Sequence, residues 1–207
     1  LLQSSAASDV YKRQFKHSAI SLDHTGTDEL TGRALSTLHG KTRVVILLMG
    51  VSGSGKTTLG RRLAARLGCP LLEGDDFHSP ANIKKMSAGK PLTDKDRLPW
   101  LTEISSAIQT KANTNQACIV ACSALKRRYR KLLLSNITRA KLIYLKGNKE
   151  SIAARINARA HFMPPALLQS QFDTLEPPTS RENALVVDIS QGIEECMQYL
   201  IKELKLT

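Results

Sequence analysis

The chain has 207 residues, of which 42% are hydrophobic and 23% charged, so it is long enough to bury a substantial core and ordinary in balance for an α/β domain. No apolar stretch approaches the roughly 18 residues of a membrane span, and the four cysteines, Cys69, Cys118, Cys122 and Cys196, lack the paired spacing of a zinc site and read as reduced core residues. Thirty Lys+Arg against 18 Asp+Glu give a formal net charge of +12, yet with only 4% aromatic residues and no run of five like charges the composition points away from nucleic acid, toward anionic small molecules.

Residues 1–43 differ in texture from the rest of the chain. They hold six Lys+Arg and four Asp+Glu among many Ser and Thr, with no sustained periodicity. Leu1 to Gln14 reads as a cloning or assembly remnant, and a targeting peptide is the weaker alternative because Asp9, Asp23, Asp28 and Glu29 do not suit an acid-poor transit sequence. The expected division is a disordered or non-native extension over 1–43 and one catalytic domain over 44–207.

From Val44 onward, short apolar runs alternate with helical patterns, the signature of parallel βαβ units. Strands are expected at 44–49, 70–73, 117–122, 141–145 and 184–188. Helices are expected at 56–67, where Leu59, Leu63 and Leu67 share a face, and at 97–110, 124–134, 148–158 and 192–203. The fold class is therefore α/β: three layers, with a five-stranded parallel sheet, helices on both faces and a small lid.

The first strand runs into Gly50-Val51-Ser52-Gly53-Ser54-Gly55-Lys56-Thr57, with Thr58 next in the chain, and this is a phosphate-binding loop in its strand–loop–helix setting. Small residues let the backbone wrap close to phosphates, so that successive N–H groups and the helix N-terminus face the anion. Lys56 supplies a mobile positive charge for the β- and γ-phosphates of ATP, and the Thr57 hydroxyl is the expected Mg²⁺ ligand. The third strand ends without the Asp that many such enzymes use to hold the metal, which leaves its other partner open.

Ligands of such a sheet gather beyond the carboxyl ends of its strands, which selects Asp75, Asp76, Ser123, Lys126 and Lys146. Asp75 stands where a carboxylate would orient an attacking hydroxyl; a loop or helix-capping carboxylate is the alternative, and it weighs more for Asp76. Arg97 offers two parallel donors to a planar carboxylate, against a solvated helix charge. His78 suits either a sugar hydroxyl or packing, and Trp100 suits the core better than a stacking platform. Lys126 or Arg130 would hold substrate or phosphate, whereas Arg127, Arg128 and Lys131 read as an exposed basic face. Arg155 and Arg159 share a helical face before His161-Phe162-Met163-Pro164-Pro165, which together read as a lid that brings arginine to the γ-phosphate and excludes water.

Four motifs occur in order: the phosphate loop, GDDFHSPANIKKMSAGKPLTDKDRLPWL at 74–101, CSALKRRYR at 122–130 and HFMPPALLQSQFDTLEPP at 161–178. From about Val44 to the C-terminus the chain resembles the gluconokinase family of sugar-acid kinases. The resemblance implies ATP- and Mg²⁺-dependent phosphorylation of D-gluconate to 6-phosphogluconate, on a fold similar to shikimate and adenylate kinases. It further implies Asp75 as the residue that orients or deprotonates the primary hydroxyl, with Lys56, metal-bound Thr57 and a lid arginine, Arg155 or Arg159, neutralising the phosphoryl oxygens. A cytoplasmic homodimer acting on a small molecule, with no nucleic-acid or membrane partner, goes with it. Asn82, Lys85, Asp94 and Asp96 carry the family pattern without separable roles. Ala160 departs from it, since a Gly usually precedes the lid His and alanine does not readily adopt positive φ. A kinase of another small acceptor, such as shikimate, and a nucleotide-dependent RNA-binding module are the other readings.

Overall fold

In the computed structural model, residues 44–158 and 165–206 are described. Five strands, β1 (Val45–Met49), β2 (Leu71–Glu73), β3 (Cys118–Ala121), β4 (Ala140–Lys146) and β5 (Leu185–Asp188), form one sheet in the order β2-β3-β1-β4-β5. All four pairings are parallel. The connecting helices are α1 (Lys56–Leu67), α2 (Pro80–Ser87), α3 (Asp94–Asn113), α4 (Arg127–Leu133), α5 (Lys149–Ala158), α6 (Pro165–Thr174) and α7 (Ile193–Glu203). Single 3₁₀ turns lie at Gly74–Phe77 and Ser180–Glu182.

The two-residue period of β1 sets the layers. Ile46 and Leu48 pack with Leu59 and Leu63 of α1 and Met197 and Leu200 of α7. Val45, Leu47 and Met49 face the other way, toward Trp100, Leu101, Ile104 and Ile108 of α3 and Tyr129 and Leu133 of α4. With helices on both faces, β1 and β3 are apolar on both sides and fully buried, which is why they read as unbroken hydrophobic runs.

Chain order places the site. The chain leaves β1 for β2, returns to β3 between them, then crosses to β4 on the other flank, so β1 lies at the point where winding reverses. Leu48 and Glu73 are both in register with Ala121. The segments after β1, β2 and β3 therefore emerge side by side from one edge of the sheet.

The strand expectations hold to within a residue or so at each end. Two helices start elsewhere than expected. The Thr93 hydroxyl accepts from the Asp96 N–H while the Asp96 carboxylate accepts from the Thr93 N–H, a reciprocal cap that opens α3 three residues before the expected 97. At the other, Ala124 takes positive φ (43°) and Leu125 is buried outside the helix, so α4 begins at Arg127 rather than 124. Helix α2 has no counterpart among the expected elements; the Ser79 hydroxyl accepting from Asn82 N–H and Pro80 in the first turn start it.

Candidate active site

Residues 50–55 turn from β1 into α1 through positive φ at Gly50, Gly53 and Gly55. Glycine is required most plainly at Gly50, where a Cβ would lie 2.9 Å from the Leu145 carbonyl oxygen as well as demanding φ of +148°. Gly50 N–H donates to the Ser123 carbonyl at 3.2 Å, which ties the loop to the end of β3. Lys56 Nζ donates to the carbonyls of Gly50 and Val51, each at 3.0 Å, so its ammonium spans the mouth of the loop. Burial pushes its pKa down, and the charges of Asp75, Cys122 and Glu73 act against that shift.

Asp75 is thus close enough to act electrostatically on Lys56, as its place beyond β2 requires. It sits exposed on the 3₁₀ turn, whose backbone approaches β3 so closely that a Cβ on Gly74 would lie 2.9 Å from the Ala121 carbonyl oxygen. Behind the turn, Trp100 Nε1 donates to the Gly74 carbonyl at 2.6 Å and its ring stacks on His78 with centroids 4.2 Å apart. Trp100 is core, as expected, and also props the turn. Burial lowers the His78 pKa, Asp75 raises it and Arg97 lowers it, so the imidazole lies within reach of both charges. Its Nδ1 is buried with no partner among the described residues. Asp76 is on the same turn, its carboxyl pKa raised by burial and by Asp75.

A carboxylate not selected from the sequence completes this corner. Glu73, the last residue of β2, accepts from the Thr57 hydroxyl at 3.1 Å through Oε2, while Oε1 is buried without a partner among the described residues. Burial pushes its pKa up. A hydroxyl and a half-buried carboxylate with one oxygen unpartnered among the described residues, at a phosphate loop, are a donor set suited to Mg²⁺. Its signal in the sequence is its place at the end of a strand, two residues before Asp75; the end of β3, where such an acid commonly stands, carries none.

Around Tyr129 lies a cationic patch. The Arg97 guanidinium, Lys126 Nζ and the Arg128 guanidinium stand 6.0, 5.9 and 5.6 Å from the ring centroid. Asp94 accepts from Lys126 at 3.1 Å on both oxygens and also from Arg128 and the Tyr129 hydroxyl, which holds its carboxyl far below the usual range. Arg128 is exposed, as expected of a basic helix face, and is in addition paired with Asp94. Asp96 is bonded to Lys85, and its backbone carbonyl accepts from Asn82 at 2.9 Å, so these three residues pin α2 to α3.

Besides Lys126, paired with Asp94, two expected site residues have other partners. Arg130, expected to hold substrate or phosphate, is 2% exposed; Nε and Nη2 donate to the two Glu182 oxygens at 2.6 and 2.8 Å, and Nη1 to the carbonyls of Ala124, Leu125 and Glu176. It is an internal strut, because its helix turns that face toward the 3₁₀ turn before β5. Arg155 donates to the Ile189 carbonyl at the end of β5 rather than to the phosphate loop. Arg159 and Ala160 lie outside the described residues.

A family model described as an AAA domain matches residues 45–178. The thermosensitive gluconokinase of Escherichia coli (strain K12) is 44% identical over 161 residues, which are 75% of this chain and 86% of that protein. Among solved structures, a gluconokinase from Sinorhizobium meliloti 1021 aligns with a TM-score of 0.70 and 42% identity over 79% of this chain and 92% of its own. An unliganded sugar kinase from Janibacter sp. HTCC2649 aligns with a TM-score of 0.74 and 40% identity over 81% and 96%. With a phosphate loop, an acidic turn and a cationic patch on one sheet edge, and relatives at this identity over three quarters of its length, the chain belongs to the gluconokinase family and is a kinase.

Proposed function

We propose that the chain transfers the γ-phosphoryl group of ATP to the primary hydroxyl of D-gluconate, giving 6-phospho-D-gluconate and ADP. The observation that carries this reading is the convergence of Lys56 and Asp75 at the carboxyl edge of β1, β3 and β2. A phosphate-loop ammonium and an exposed carboxylate stand within electrostatic reach of each other, and His78 lies within reach of both Asp75 and Arg97.

The loop amides and the N-terminus of α1 hold the phosphates, and Lys56 leaves its carbonyl partners to neutralise charge on the transferring group. Thr57 and Glu73 would hold Mg²⁺, which when bound supplies further charge neutralisation on the phosphates. Asp75 orients the acceptor hydroxyl. As the new oxygen–phosphorus bond forms and the bond to ADP breaks, the hydroxyl proton passes to this carboxylate. Arg97 and Lys126 take the acceptor's carboxylate, and His78 Nδ1, buried and free among the described residues, meets one of its hydroxyls. Arg159 would complete the charge at the γ-phosphate.

The test is ADP release by the purified chain with gluconate, related aldonates and shikimate offered in turn. Gluconate-stimulated turnover that falls at least about 100-fold in Lys56→Ala and in Asp75→Asn is expected; equal turnover in the Asp75 variant removes that residue from its role, and preference for shikimate replaces the acceptor. We further infer a catalytic domain over 44–207, with 1–43 outside it, acting as a cytoplasmic homodimer. A monomer in sedimentation overturns the last point. No described helix is long and apolar enough to cross a membrane.

A further inference from the structure

The phosphate loop is held from a direction its own motif does not specify. Ser52 N–H donates to Gln171 Oε1 at 2.7 Å, and Gln171 Nε2 donates to Ser52 Oγ at 3.0 Å, across 119 residues of chain. The pairing also fixes the amide's orientation, because a backbone N–H can only donate and so must meet the oxygen. Gln171 stands one turn after Leu167 and Leu168, both buried, so it lies on the inward side of α6, where a polar group is costly unless it finds a partner.

Its helix is firmly seated. Leu168 belongs to the core and Phe172 packs against it. Beyond the helix, Glu176 N–H donates to the Leu125 carbonyl at 2.9 Å, the Glu176 carboxylate accepts from Arg127 N–H at 2.7 Å, and its carbonyl accepts from Arg130. Internal strut and clasp are thus parts of one assembly: Arg130 fixes the end of α6, and α6 presents Gln171 to the loop.

We propose that Gln171 is a positioning residue that clasps Ser52 and so presets the first half of the phosphate loop for the triphosphate. With the Ser52 peptide held by an amide, the loop is not free to rotate that peptide, and the N–H groups nearer α1 meet the phosphates with little ordering cost. The clasp acts on nucleotide, not on the acceptor. It rests on the kinase reading, but its own measurement needs no acceptor.

The experiment compares wild type with Gln171→Met, near in volume but without hydrogen-bonding groups, and with Ser52→Ala, which removes the hydroxyl and keeps the N–H. Affinity for a non-hydrolysable ATP analogue with Mg²⁺ is measured by calorimetry, and the KM values for ATP and gluconate by ADP release. Loss of two neutral hydrogen bonds should weaken analogue binding and raise the KM for ATP about tenfold in Gln171→Met, with the KM for gluconate within about twofold. Ser52→Ala should cost about threefold alone and nothing further in the Gln171→Met background. Analogue affinity within twofold of wild type, equal shifts for both substrates, or additive effects in the double variant overturn the proposal. Should Gln171→Met not fold, Ser52→Ala decides: threefold weaker analogue binding supports the clasp, and unchanged binding overturns it. A wild-type chain that binds the analogue but leaves gluconate untouched sinks the acceptor assignment and not this one.

Discussion

Glu73 shows how much one residue's setting can alter its chemistry. Its carboxyl is pushed up in pKa chiefly by burial, and the Thr57 hydroxyl only partly offsets this. A carboxyl with a folded pKa above its unfolded value binds its proton more tightly in the native state. Its contribution to stability is full below the unfolded pKa, near 4.5, and is lost as pH rises through the folded value. Glu73→Gln removes that titration while keeping an oxygen for Thr57. The variant should therefore lose less stability than wild type between pH 5 and pH 8, read as the difference in urea midpoints, while its activity falls about 10–100-fold at fixed Mg²⁺ and recovers in part as Mg²⁺ is raised. Identical pH dependence of the two midpoints would show that the carboxylate is not strained by its burial. At this scale the sequence was legible where a motif fixes a residue's place, as for Lys56 across the loop and Thr57 at the start of α1. It was not legible for Arg130, because only the folded chain shows that Glu182, far along the sequence, occupies its guanidinium.

At the scale of elements, strands were easier to read than the segments that carry chemistry. Buried parallel strands announce themselves as apolar runs, whereas the first turn of α3 consists of Asp94, Lys95, Asp96 and Arg97, with no apolar stripe for a helical period to register. The same holds for the acidic turn at Gly74–Phe77, four residues too short to have a period. Its geometry comes instead from contact. Gly74 is buried against β3, and any side chain there meets the Ala121 carbonyl at 2.9 Å and the Cys122 Cβ at 3.2 Å, a backbone neighbour that cannot rotate away. Gly74→Ala should cost about 1–3 kcal/mol of stability and push the turn off the sheet edge. Because Asp75 rides on the turn while Lys56 rides on α1, turnover should drop more than nucleotide affinity. An equal loss in both would mean that the turn and the loop move as one body.

For the molecule as a whole, strand order decides what can meet. The reversal of winding at β1 sets the phosphate loop at the switch point of the sheet, with the Asp75 turn following β2 on one side and α6 reaching the loop through Gln171. On the proposed assignment, nucleotide and acceptor functions fall on separate elements of one sheet edge, and should separate experimentally. A ligand that binds only the native state stabilises it by RT ln(1 + [L]/Kd), about 2.7 kcal/mol at 100 times Kd. For a domain of this size that corresponds to a rise in Tm of roughly 5–10 °C. Wild type with saturating ATP analogue and Mg²⁺ should show such a rise, and Lys56→Ala should lose most of it because the phosphates lose their cation. Asp75→Asn should keep at least the full rise while losing turnover, if its carboxylate serves the acceptor hydroxyl as proposed and bears on the nucleotide site only through its charge beside Lys56. A rise abolished by Asp75→Asn would put that side chain in the nucleotide site, and the aspartate would then have to be assigned to the metal rather than to the hydroxyl.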